Sequence, residues 1–161
     1  MRIAALNIII LAVLASGALA AEPGNAFVSR DLGLSIDVPV VKDTKNPNYQ
    51  IAMFFLPVSD NFSANVNIQK QQFTEPVEAY DTLTMSQFKQ FNMTVLNRTI
   101  KGNDLRYEYK GEIEGRTLHW YAKAIKSGQH VYLVTATGLD SQWAQQKALL
   151  IKSVDSFAVK Q

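Results

Sequence analysis

The chain has 161 residues, no cysteine, 19% charged residues and a formal net charge of +2. The missing thiols exclude a disulfide scaffold, a thiol nucleophile and cysteine-based zinc sites. The small positive balance, scattered without a basic run, argues against nucleic acid, whose recognition needs a concentrated positive field.

The first twenty residues carry one charge, Arg2, an apolar run through Leu14 and small residues at Ala18 and Ala20. That layout predicts a secretory signal peptide over residues 1–20, cleaved after Ala20, and therefore a periplasmic or secreted protein. The run is well short of the roughly 20 residues that cross a bilayer, and no further apolar span follows, so no transmembrane segment is expected after cleavage. Without a cysteine at the processing site there is no lipid anchor. The mature chain, 21–161, carries about +1. It is long enough for one domain that buries about two-thirds of the surface its unfolded form exposes.

Leu34 to Pro39 alternates apolar and polar residues and ends on proline, the pattern of a strand leaving a sheet edge. Val40 to Asn48 is a connecting loop. Tyr49 to Pro57, YQIAMFFLP, is apolar on both alternating sets, which predicts a strand covered on both faces. The stretch Asp60 to Ile68, DNFSANVNI, predicts a strand entered through a polar turn. Its apolar set is Val66 and Ile68; its other set is an amide ladder, Asn65, Asn67 and Gln69. Those amides either satisfy nearby backbone or face a ligand or partner.

Val77, Tyr80, Leu83, Phe88 and Phe91 recur at spacings near three and four, predicting a helix over residues 75–91 with Thr74 as its cap. Four strands at hairpin spacing follow: Thr94 to Ile100, Leu105 to Ile113, Thr117 to Lys126 and Gln129 to Leu139. Short connections containing Gly102, Gly115 and Gly128 predict an antiparallel meander, because parallel neighbours need a long crossover. A second helix is expected after an Asp140 or Ser141 cap, burying Trp143, Leu150, Ile151 and Val154. A short strand over residues 156–159 is expected to close the chain. The fold class is α+β, a mostly antiparallel sheet flanked by helices in a single domain.

Chemistry-bearing residues are few. His119, Tyr121 and Lys123 share one strand face and could line a small pocket; the alternative is a half-exposed strand face. His130, just after the Gly128 turn, is expected at the surface. Glu108, Glu112 and Glu114 share a face with Arg106 and Lys110, which fits cross-strand charge pairing better than an acid pair or a calcium site. No nucleophile elbow, metal signature or phosphate loop is present, and no cofactor is expected.

The order of LGLSIDVP, NFSANVNI, a helix, a meander and WAQQKALLIKSVDSF resembles the PsbP-like (Mog/PsbP) fold family over about residues 26–159, nearest in localisation to bacterial DcrB-like envelope proteins. The resemblance implies an antiparallel sheet flanked by helices and action by binding a partner or assisting an assembly. It supplies no common active site. The expected function is therefore an exported, non-enzymatic binding or accessory protein of the cell envelope. Another envelope protein would meet the sheet face or the loops at Asn61 to Asn67 and Gly102 to Asp104. The competing expectation is a small-molecule binding protein or hydrolase with a pocket near His119, Tyr121 and Lys123.

Overall fold

The computed structural model describes residues 26–29, 34–37 and 48–159, so the expected signal peptide and the loop over 40–47 lie outside the described residues. Two compact units divide near Asn46 and Pro47. In the first, β1 (Ala26–Ser29) and β2 (Leu34–Asp37) pair antiparallel, with Ala26 opposite Asp37. The expected strand at Leu34 is present. Its four-residue partner, AFVS, is too short to show a period.

The second unit contains a six-stranded sheet and two helices. In chain order they are β3 (Tyr49–Phe55), β4 (Asn65–Gln72), α1 (Val77–Gln90), β5 (Thr94–Lys101), β6 (Asp104–Ile113), β7 (Arg116–Ser127), β8 (His130–Leu139) and α2 (Asp140–Asp155). Every strand pair is antiparallel, and the order across the sheet is β3-β4-β8-β7-β6-β5. The β5 to β8 meander stands as expected. At the β6–β7 turn Glu114 and Gly115 both have positive φ, the two-residue hairpin geometry whose twist matches the flanking strands.

Strand alternation sends successive β6 side chains to opposite faces. Tyr107 and Tyr109 turn toward α1: Phe88 meets both rings, at centroid distances of 5.6 and 4.3 Å, and Tyr109 stacks on Trp120. Arg106 and Glu108 turn toward α2, where they meet Asp155 and Trp143. The unit is thus a helix–sheet–helix sandwich with the sheet as its middle layer. On the α2 side the core is Ala64, Val66, Val134, Ala136, Trp143, Leu150 and Val154, with Phe62 and Ile68 packed against it.

Four expectations need correction. First, β3 is an edge strand among the described residues, with Phe55 64% and nearby Val58 72% exposed, rather than a strand covered on both faces. Apolar content reports a side chain's own preference and says nothing of how many neighbours its strand has. Second, neither helix has a side-chain cap: Pro76 precedes α1, where its fixed φ suits a helix entry, and Leu139 precedes α2. Third, residues 157–159 form no strand, and Phe157 folds back onto the α2-side core. Fourth, Leu83, Phe91 and Ile151 fall outside the fully buried set, whereas Asp81 and Thr84 of α1 lie inside it.

Candidate functional site

The register of β6 against β7 places Lys110 opposite His119, Glu108 opposite Tyr121 and Arg106 opposite Lys123. All six side chains turn to the α2 side, and each meets a group on α2 or at one of its ends.

At the start of α2, His119 is only 6% exposed and lies flat on the Trp143 indole, centroids 4.1 Å apart and planes 10° from parallel. Its Nδ1 is 2.9 Å from Asp140 Oδ1 and its Nε2 is 3.0 Å from Glu108 Oε1. The Trp143 Nε1 donates to the same Glu108 oxygen at 3.2 Å, and Lys110 Nζ donates to the other Asp140 oxygen, also at 3.2 Å. The bond from His119 holds the Asp140 carboxyl below the usual carboxylate range; Lys110 adds to this and partial burial opposes it. Asp140, expected as a cap, therefore spends its side chain on the sheet.

At the far end, Lys123 Nζ donates to the backbone carbonyls of Asp155 (3.3 Å) and Phe157 (2.8 Å). A cation at that position also complements the negative end of the helix dipole. Arg106 pairs with the Asp155 carboxylate, to which the Tyr121 hydroxyl donates at 3.1 Å. Burial raises the Tyr121 phenol and the bond from Arg106 opposes this. The structure thus brings His119, Tyr121 and Lys123 onto one face, as their spacing predicts, and divides them between the two ends of a helix. His130 opens β8 with its ring half-exposed. Partial burial, with Lys70 and Lys126 nearby, lowers its pKa.

Asn65 and Asn67 lie on the opposite, α1-side face. The Asn65 side-chain amide donates to the Ser63 carbonyl at 3.3 Å, a local backbone role. Asn67 differs. Its carbonyl oxygen is buried without a partner, and so is the hydroxyl of Thr135, its direct cross-strand neighbour on β8. The turn before them is built from Asp60 and Asn61, both at positive φ, closed by paired Ser59 and Phe62 backbone bonds of 2.9 and 3.0 Å. Gln142 of α2 donates to Asp60 and Ser59, and Arg116 donates to the Asn61 carbonyl, so α2 and β7 both hold this turn.

An open cleft of about 450 Å³ lies elsewhere, lined by Thr74 to Glu78 and by Gly102, Asn103, Lys126 and Gly128. It contains none of the five candidate side chains, but Gly102 and Asn103 belong to the loop expected to meet a partner. Among the described residues no group of three or more His, Asp and Glu side chains is placed to hold a metal ion, and no helix is long and apolar enough to cross a membrane.

The partners missed in the sequence are Asp140 and Asp155 on this face and Asp81 with Arg98 on the other. Each joins elements distant in the chain. Glu108 shares the face of Arg106 and Lys110, which reads as charge pairing along the sheet and conceals the carboxylates that α2 brings: Arg106 goes to Asp155 and Lys110 to Asp140.

No family model and no curated protein matches the chain. Among solved structures it is similar to PA94 of Pseudomonas aeruginosa, a protein of unknown function, with a TM-score of 0.58 at 13% identity over 86% of this chain and 99% of that one. It also matches LpqN of Mycobacterium tuberculosis, involved in cell envelope biogenesis, with a TM-score of 0.38 at 12% identity over 64% and 73% of the two chains. At these identities the likeness to PA94 is one of fold alone.

Proposed function

We propose that the chain is an exported, non-enzymatic binding or accessory protein of the cell envelope, of the PsbP-like and DcrB-like kind, acting on another envelope protein. The observation that carries this is the commitment of the acid–base groups beneath α2. Both nitrogens of His119 face carboxylates, Lys123 donates to two carbonyls, and the Tyr121 hydroxyl lies between Arg106 and Asp155. A general base needs a free position within reach of the proton it takes. Groups this fully engaged serve docking better than proton transfer.

A partner surface is available at the end of β3, where Phe55 and Val58 are exposed beside the Asp60–Asn61 turn. Large apolar side chains exposed within four residues of one another suit a protein partner. Export is proposed from the signal-peptide layout that the sequence predicts over residues 1–20.

A photocrosslinker placed at Phe55 or Val58 in the native envelope is expected to give one reproducible adduct, absent when it is placed at Lys147 on the exposed side of α2. No adduct from either position, together with a small-molecule melting shift that His119→Gln abolishes, would replace this proposal with a ligand-binding one.

A further inference from the structure

His119 is held in a way that depends on its charge. A neutral imidazole has one N–H, so one of its two carboxylate contacts would set a nitrogen lone pair against a carboxylate oxygen. Only the imidazolium donates at 2.9 Å to Asp140 and at 3.0 Å to Glu108 together.

The groups facing the ring come from every element around it. β6 supplies Glu108 and Lys110; β7 carries Tyr121 and Lys123 along the same face; β8 presents Gly138 in register and no charge; α2 supplies Asp140 and the Trp143 indole. Each carboxylate keeps a second donor that does not depend on the ring, Lys110 on Asp140 and Trp143 on Glu108. The contacts at the other end of α2 involve Arg106, Lys123 and Asp155 and no histidine. The two ends of one helix are therefore fastened by different rules.

We propose that His119 is a proton-dependent latch for the first turn of α2. With the ring charged, the turn from Asp140 to Trp143 is fastened to β6 and β7. With the ring neutral, the turn keeps Lys110 on Asp140, Trp143 on Glu108 and Gln142 on Asp60 but loses one fastening, and it opens more often while the Asp155 end remains as a pivot. Opening lifts Trp143 away from Gly138, whose position lies against the indole, and uncovers Ala64, Val66 and Ala136.

Hydrogen exchange of the full chain tests this, with rates corrected for the intrinsic effect of pH. Between pH 6.0 and 8.5, amides in the first two turns of α2 are expected to lose about tenfold in protection, the worth of one hydrogen bond to a charged group. Amides of the last turn of α2 and of α1 hold theirs. His119→Gln removes the pH dependence and His130→Gln keeps it. Equal loss at both ends of α2, no loss, or persistence in His119→Gln overturns the proposal. Should His119→Gln fail to fold, the nitrogen chemical shifts of the His119 ring decide in the unmodified protein. Their titration midpoint must coincide with that of the α2 protection; a separate midpoint, or a neutral ring at pH 6.0, overturns it.

Discussion

Asp81 shows how much one buried carboxylate can organise. It is 4% exposed on α1, yet it accepts from Arg98 of β5 and, at 3.0 Å, from the Tyr107 hydroxyl of β6. Burial raises the Tyr107 phenol, and the neighbouring carboxylate raises it further, so the hydroxyl keeps its proton to donate. Asp81→Ala leaves that hydroxyl and the Arg98 fork without their acceptor. The expected cost is about 2–3 kcal/mol in urea unfolding, at the lower end for a broken buried pair because Arg98 is half in solvent. At the start of α2, Asp140 makes a pH prediction. Its carboxyl is lowered in the folded state, so its contribution is present above the unfolded value near 4 and is lost as pH falls through the lower folded value. Trp143 fluorescence should report loosening below about pH 4, and Asp140→Asn should remove that part of the acid transition; an unchanged acid profile would show that Asp140 does not hold the helix. The alternation of His119, Tyr121 and Lys123 was legible in the sequence because it is local. Their partners were not, since Asp140 and Asp155 reach them only after a hairpin and a helix have brought residues 21 to 34 positions apart together.

Elements defined by local chemistry were read more reliably than elements defined by neighbours. The meander was written in glycines at turns, and the amphipathic period of α1 in Val77, Tyr80 and Phe88. The place of β3 at the edge was not written anywhere in YQIAMFF, because strand order is decided by which surfaces the rest of the chain covers. The terminal segment SFAV reads as a strand by composition, yet Lys123 takes the Phe157 carbonyl and the α2-side core takes the ring, so the segment packs there instead of pairing. The turn entering β4 combines both kinds of information. Asp and Asn tolerate the left-handed conformation that Asp60 and Asn61 adopt, whereas a β-branched residue there costs about 1–2 kcal/mol. Asn61→Val is therefore expected to lower the thermal midpoint and Asn61→Gly to leave it nearly unchanged. Equal losses from both would mean that the Asn61 side chain, and not its backbone angle, holds the turn.

Across the second unit, the two helices are fastened to opposite faces of one sheet by the same trio of groups. Asp81 of α1 meets Arg98 and Tyr107; Asp155 of α2 meets Arg106 and Tyr121. In both, the arginine and tyrosine come from adjacent strands, so each clamp also ties a strand pair. Arg106 and Tyr107 are neighbours in β6 but point to opposite faces, and the trios share no partner. Sites separated in this way usually add within about 0.5 kcal/mol. Asp155→Asn alone, at a partly solvated site, is expected to cost no more than about 1 kcal/mol. Combined with Asp81→Asn, the cost should equal the sum of the single changes in a double-mutant cycle. A coupling energy above about 1 kcal/mol would mean that β6 carries strain from one face to the other. Additivity would instead mean that α2 can loosen on its face without disturbing α1, the independence a latch confined to the first turn of α2 requires.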